Sequence, residues 1–235
     1  MLSKTIKRFY KQAAAAASET GFAIQLDGKP VKTPGLRPLM VPFQPLAAAI
    51  ADEWQAQGEQ LAPTTMPLTQ LASTALDRVG PERAHITTQL LAYAGTDLLC
   101  YRVAHPSDLV ARQTQAWQPL LDWAALTLNA PLAVTASLEA VEQSPHSLAA
   151  LSHAIESLDL WRLTALQSAT AIMGSLILGL ALTQGRIDAA QAFDLSQLDE
   201  TYQIEQWGED WEAADRRAEI RRDIDAAEKF LALLA

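Results

Sequence analysis

Side chains suited to metal binding or nucleophilic catalysis are few in this chain and widely spaced. The four histidines are His85, His105, His146 and His153. None has a second histidine or a cysteine at the spacing of two to five residues that is typical of paired metal ligands. The single cysteine, Cys100, lies in the apolar run 98–101, where no neighbour in sequence could activate its thiol. We therefore expect no metal site and a buried structural thiol, and one cysteine excludes a disulfide scaffold.

Motifs for cofactor binding and acid–base catalysis give the same result. Gly174 and Gly179 are separated by four residues, but no Lys-Ser/Thr pair follows, so we expect a packing notch in a helix and not a phosphate-binding loop. The acid pairs at 52–53 and 199–200 are adjacent in sequence. Adjacent side chains on a helix do not face each other, so neither pair suits an acid–base couple. The sequence predicts neither an enzyme nor a bound cofactor.

The distribution of charge is the strongest functional signal. The net charge is −9, which argues against a nucleic-acid partner. Residues 1–50 carry 7 basic and 2 acidic side chains, whereas 194–215 hold eight acids, no base, and Tyr202, Trp207 and Trp211. Aromatic side chains surrounded by charge of one sign suit a protein interface, and a basic partner would relieve their repulsion. A solvated amphipathic helix remains the alternative interpretation of this segment.

The first forty residues have the pattern of short strands. Residues 21–26 alternate apolar and polar side chains, and Asp27-Gly28 follows directly, which predicts a hairpin with a two-residue turn. Residues 39–41 predict another strand. From 43 to 57 the apolar positions Leu46, Ile50 and Trp54 recur every fourth residue, which predicts a helix covering one face of the small sheet.

Most of the remaining chain is predicted to be helical. Gly80-Pro81 marks the expected boundary between a domain over 1–80 and a domain over 81–235. We expect a short extended segment at 98–103 and one central helix over 160–183, beginning at an N-cap Asp159 and apolar nearly all round. The apolar run 169–182 is shorter than the roughly 20 residues of a bilayer span, and no apolar segment follows the basic N-terminus. We therefore expect a soluble intracellular protein.

Several segments, in the order in which they occur, resemble one known family. They are 8–11 (Arg-Phe-Tyr-Lys), 26–34, 53–54 with 57–58, 66–69, 93–102, 117–123, 174–175 and 198–208 (Leu-Asp-Glu-Thr-Tyr-Gln-Ile-Glu-Gln-Trp-Gly). Together they are similar to the assembly chaperones of the F-type ATP synthase that bind the α subunit of the catalytic head. The lack of a long transit segment resembles the bacterial branch of that family.

The resemblance implies an α+β protein with a small α/β N-terminal domain of short antiparallel strands and a larger α-helical domain, an orthogonal bundle. It implies a chaperone without catalytic activity that holds free α subunit and shields its interface until the β subunit joins. The family's functional acid corresponds to Glu200, with Asp199 and Glu205 as alternatives, and Tyr202, Trp207 and Trp211 complete the expected partner-binding set. The expected protein is a monomer, at most peripheral to the membrane, cytoplasmic in a bacterium and in the mitochondrial matrix for eukaryotic relatives.

A second function class stays open, namely an enzyme or small-molecule carrier with a pocket between the two domains. Ligand sites often lie at such boundaries. Its expected lining is Tyr93, Asp97, Cys100, Tyr101 and Arg102. A closed pocket with converging polar groups would favour this alternative, whereas a broad exposed surface with apolar side chains would favour the chaperone.

Overall fold

The structure, a computed structural model, describes residues 6–137 and 139–235. The chain forms two compact units, one comprising residues up to 83 together with 229–235 and the other comprising 84–228. The predicted division at residue 80 placed the last seven residues in the second domain, whereas these residues group with the first unit. The strands are β1 (Ala13–Ser18), β2 (Gly21–Leu26), β3 (Lys29–Pro30) and β4 (Met40–Val41). The helices are α1 (Gln44–Gln55), α2 (Pro67–Thr74), α3 (Arg83–Ala92), α4 (Ser107–Thr127), α5 (Pro145–Glu156), α6 (Leu160–Met173), α7 (Leu176–Thr183), α8 (Ala189–Ser196), α9 (Leu198–Trp207) and α10 (Trp211–Ala232).

The N-terminal unit is built on a small antiparallel sheet. β2 pairs with β1 along one edge, and β3 and β4 share its other edge. Asp27 and Gly28 join β2 to β3 with φ values of 48° and 78°, which confirms the predicted two-residue hairpin turn. Short antiparallel strands followed by a helical remainder confirm the predicted α+β class.

Helix α1 packs on this sheet, as the spacing of its apolar residues predicted. Leu46 and Ile50 are fully buried, and Ile24 of β2 is buried with them in the core of the unit. The Glu53 carboxylate accepts hydrogen bonds from the backbone N–H groups of Leu68 and Thr69, both at 2.8 Å. A carboxylate is favourable at a helix N-terminus, so Glu53 caps α2 from a neighbouring helix. Burial raises the pKa of this carboxyl group.

The core of the second unit contains α6 and α7, which replace the single central helix predicted over 160–183. Asp159 caps α6 as predicted, accepting from the N–H groups of Trp161 and Arg162. Gly174 then takes a left-handed conformation (φ 65°), and Ser175 caps α7 by accepting from the N–H of Leu178. The chain therefore breaks where a glycine permits positive φ and a serine can begin a new helix. Among the described residues, no helix combines the length and the hydropathy of a bilayer span.

Residues 98–100 form one turn of 3-10 helix, so the extended segment predicted over 98–103 is wrong at its start. Asp97 caps this turn by accepting from the backbone N–H of Leu99 at 3.1 Å. An aspartate that precedes a short apolar run favours such a turn over a strand.

Candidate partner-binding site

Helix α9, which carries most of the predicted site, is fixed to α4 by three polar contacts. The Tyr202 hydroxyl donates to Asp108 Oδ2 (3.0 Å), and Asp199 Oδ1 accepts from Gln113 Nε2 (2.8 Å). A third contact joins Arg112 Nη1 to Glu205 Oε2 at 2.6 Å. Burial and the bond to Asp108 raise the pKa of Tyr202, so its hydroxyl remains a donor. These contacts set the rotation of α9 about its own axis.

The turn between α9 and α10 is also held in place. Gly208 adopts a φ of 86°, which a glycine tolerates and other residues rarely do. Asp210 Oδ1 accepts from the backbone N–H of Ala213 (2.9 Å) and so caps the start of α10. Arg217 of α10 forms an ion pair with Glu209 (3.3 Å) and donates to the Thr201 hydroxyl (3.2 Å). These contacts of Asp210 and Arg217 fix the conformation of the turn, so we call it a braced turn.

Two large aromatic side chains project from this turn into solvent. Trp207 and Trp211 are 79% and 73% exposed, at the end of α9 and the start of α10. A hollow of about 200 Å³ lies beside Trp207, and the carboxylate residues Glu200, Glu209 and Asp210 line it. Glu200 is half-buried, and its side chain has no hydrogen bond or ion pair within the part of the chain that the structure describes. We call Glu200, Trp207, Glu209, Asp210 and Trp211 the acidic–aromatic surface.

The structure separates the predicted site residues into two groups. Glu200, Trp207 and Trp211 lie on the acidic–aromatic surface, whereas the side chains of Asp199, Tyr202 and Glu205 bond to α4. Sequence reasoning missed the α4 residues that hold α9, which are Asp108, Arg112 and Gln113. They precede their partners by 86 to 94 positions, and no local pattern links residues so far apart.

Of the alternative pocket residues, Asp97 lies in a buried network inside the helical unit, which we call the Asp97 hub (Asp97, Leu99, Ser175 and Ile177). Asp97 is fully buried and accepts from Leu99 N–H, from Ser175 Oγ (2.7 Å) and from Ile177 N–H (3.1 Å). Burial raises the pKa of Asp97. The carboxylate thus caps both the turn at 98–100 and the start of α7, which is a structural role.

Tyr101 and Arg102 of the alternative set are also hydrogen-bonded within the helical unit, whereas Tyr93 is half-buried and lines a separate hollow beside α3 and α6. The Tyr101 hydroxyl donates to Gly95 O (2.7 Å), and Arg102 Nη2 donates to Gln118 Oε1 (3.0 Å). Burial, with a smaller effect of the Asp97 charge, raises the pKa of the Cys100 thiol to about 12. A thiol with so high a pKa is not a nucleophile at neutral pH. Within residues 6–137 and 139–235, no three His, Cys, Asp or Glu side chains are grouped to hold a metal ion.

Comparisons with known proteins assign the chain to a family. The family model described as "ATP12 chaperone protein" matches residues 7–125, which is half of the chain. The chain belongs to the ATP12 chaperone family. The resemblance to ATP synthase assembly chaperones drawn from the sequence motifs is thereby confirmed.

Relatives of the ATP12 family match this chain over most of its length. The crystal structure of Atp12 from Paracoccus denitrificans is 43% identical, with a TM-score of 0.92 over 97% of this chain and 98% of that one. The Atu1473 protein of Agrobacterium tumefaciens is 39% identical, with a TM-score of 0.94 over 98% of this chain and 87% of that one. Mitochondrial atp12 of Schizosaccharomyces pombe is 27% identical over 216 residues, 87% of this chain and 74% of that protein. These matches include bacterial and mitochondrial ATP12 proteins.

Proposed function

We propose that this ATP12-family chaperone binds the free α subunit of the F-type ATP synthase catalytic head and shields its interface until the β subunit joins. The observation that carries the proposal is the acidic–aromatic surface, where Trp207 and Trp211 are exposed on a braced turn. Large aromatic side chains are enriched at protein interfaces, and rigid presentation lowers the entropy that is lost on binding. A client surface that covers both indole rings would remove this apolar area from water.

The carboxylates of the surface complement a basic client. Glu200, Glu209 and Asp210 line the hollow beside Trp207, and among the described residues only Glu209 has a cationic partner, Arg217. A lysine or arginine of the α subunit would fit between these carboxylates and Trp207, where it gains both charge pairing and contact with the indole face. The helical unit carries 8 basic and 20 acidic residues, a net −12, which would steer such a client towards it.

Among the three candidate acids, the contacts favour Glu200 as the residue that meets the client. Asp199 and Glu205 are each bonded to a side chain of α4, whereas Glu200 lines the hollow. Asp199, Tyr202 and Glu205 are then positioning residues, because their bonds to α4 orient the helix that presents Glu200 and Trp207. In this proposal the protein is a monomeric binding protein without catalytic activity, cytoplasmic in a bacterium and at most peripheral to the membrane.

Size-exclusion chromatography with purified subunits tests the proposal. The full chain is mixed separately with α subunit and with β subunit from the source organism at equal concentrations. We expect a one-to-one complex with α and none with β. Equal binding to both subunits, or to neither, would contradict the proposed client.

A further inference from the structure

The N-terminal unit contains a groove of about 650 Å³, which shares no residue with the acidic–aromatic surface. Its floor and walls include the apolar side chains of Val31, Leu39, Trp54 and Met66. The volume lies within the range of roughly 300–1,000 Å³ that is typical of binding pockets. All of its lining residues belong to one unit, so the groove is a feature of that unit alone.

One wall of the groove is a loop that two hydrogen bonds hold in place. Thr33 and Pro34 line the groove, and Thr33 Oγ1 and the N–H of Gly35 both donate to the Asp77 carboxylate at 2.7 Å. At the tip of this loop, Leu36 has a φ of 64° and is 75% exposed. A leucine in the left-handed conformation is strained, and residues held in such conformations cluster at functional sites. The loop therefore presents an apolar side chain to solvent at a conformational cost.

Further observations indicate what the groove would accept. Ile6, which also lines the groove, is 57% exposed, so a second apolar side chain is accessible there. Lys32, which is exposed, is the only charged residue among the described ones that line the groove, and the unit carries 10 basic and 7 acidic residues. The indole N–H of Trp54 is buried without an acceptor among the described residues, and unpaired buried donors of this kind are rare in folded proteins.

We propose that the groove binds an extended segment of the client polypeptide in which a bulky aliphatic side chain lies beside an acidic residue. The aliphatic side chain lies against Leu39, Trp54 and Met66, and the acid pairs with Lys32. The inference rests on the proposed chaperone function and adds a second contact of opposite charge to the acidic–aromatic surface. Two contacts on one client would raise the overall affinity above that of either contact alone.

Substitutions that fill the groove or reverse its charge test this inference. Ser73 of α2 is half-buried in the lining, so Ser73→Trp fills the groove without removing a buried side chain. We expect it to weaken α-subunit binding about tenfold, whereas Ala48→Trp, at an exposed position of α1 outside the lining, leaves binding unchanged. Lys32→Glu should weaken binding about threefold, and Lys29→Glu, at an exposed position of the hairpin, should not.

A third substitution separates binding from folding. Asn tolerates the left-handed conformation better than leucine does, so Leu36→Asn should keep or raise the melting temperature while it weakens binding. Wild-type affinity in Ser73→Trp, Lys32→Glu and Leu36→Asn, each folded by circular dichroism, would overturn the groove as a client site.

A selection that does not depend on the α subunit distinguishes this inference from the proposed function. Random 12-residue peptides displayed on phage are selected on the wild-type chain and screened against the Ser73→Trp variant. Peptides that bind only the wild type should carry Leu, Ile, Val or Met beside Asp or Glu. No groove-dependent peptide, or groove-dependent peptides without an acid, would overturn the inference. Groove-dependent peptides together with no binding of α subunit would instead contradict the proposed client.

Discussion

Two regions of the helical unit contain carboxylates with opposite exposure to solvent. In the Asp97 hub, one fully buried carboxylate accepts hydrogen bonds from two backbone N–H groups and a serine hydroxyl. On the acidic–aromatic surface, Glu200 and Asp210 have no cationic partner in the described chain, and two tryptophans stand exposed beside them. The same functional group therefore serves packing in one region and is available to a partner in the other.

The difference lies in what each residue would leave unpaired if it were removed. Loss of Asp97 leaves buried donors without an acceptor, which costs stability. Among the described residues, loss of the Trp207 or Glu200 side chain leaves no buried polar group without a partner in the free protein. Such a loss should therefore change the affinity for a partner and not the stability of the fold. Stability and binding should thus separate between the two regions, and the following predictions test that separation.

The largest effect is expected from Asp97→Ala. The change removes the acceptor of Leu99 N–H, Ser175 Oγ and Ile177 N–H in a fully buried site. With each unpaired buried group costing about 1–3 kcal/mol, we expect a loss of about 3 kcal/mol or more in the free energy of unfolding. Urea denaturation followed by circular dichroism measures it. A loss below about 1 kcal/mol would show that the hub is not structural.

The second effect is expected from the double variant Trp207→Ala/Trp211→Ala. Because both indoles are exposed in the free chain, the melting temperature should be unchanged. With about 2 kcal/mol or more for interface aromatic residues, the affinity for α subunit should fall at least about thirtyfold. Isothermal titration calorimetry measures this change.

Leu126→Ala is the matched control for the double variant, because Leu126 is an 87% exposed apolar residue of α4 that lies outside the surface. It should bind α subunit as the wild type does. Similar losses in both variants would mean that exposed apolar area in general, and not this surface, binds the client.

A smaller effect is expected from Glu200→Lys. Reversing one carboxylate of the hollow should weaken binding of α subunit about tenfold at low salt, with a smaller loss at high salt. The melting temperature should stay nearly constant, since Glu200 has no partner within the described residues. Glu142→Lys makes the same charge change at an exposed position outside the surface and should bind normally. A collapse of the fold in Glu200→Lys would show that Glu200 is structural.

The smallest effect concerns pH. The pKa of Asp97 is raised in the folded state above its ordinary value of 3.8, so the folded chain binds this proton more tightly than the unfolded chain does. Stability should therefore fall as pH rises from 3.8 through the raised pKa. Asp97→Asn should flatten that fall, and the raised pKa of Glu53 should leave a remaining slope of the same sign. Urea midpoints measured from pH 4 to 7 test this, and an unchanged slope in Asp97→Asn would contradict the assignment.

Local patterns predicted the elements that depend on neighbouring residues. The Asp27-Gly28 turn, the apolar face of α1 and the Asp159 cap follow from residues within four positions of one another. The sequence does not predict the break at 174–175, because the apolar pattern continues across it, and it marks Ser175 only through the family resemblance. The buried role of Asp97 also escaped prediction, since Ser175 and Ile177 lie 78 and 80 positions away.

The sequence predicts which segment forms the candidate site, but it does not predict which of the acids in that segment is available to a partner. Eight acids and three aromatic residues in one segment mark it in the sequence. Which acid is available depends on side chains of α4, because Gln113 engages Asp199 and Arg112 engages Glu205. Contacts between residues so far apart in sequence produce no periodic pattern from which they could be predicted.

The most direct test of the central claim compares free α subunit with α subunit already paired with β. The full chain is titrated into each by isothermal titration calorimetry under the same buffer conditions. If the acidic–aromatic surface shields the interface that β later occupies, the chain binds free α and shows no heat of binding to the α–β pair. Equal affinity for free and paired α would contradict the claim.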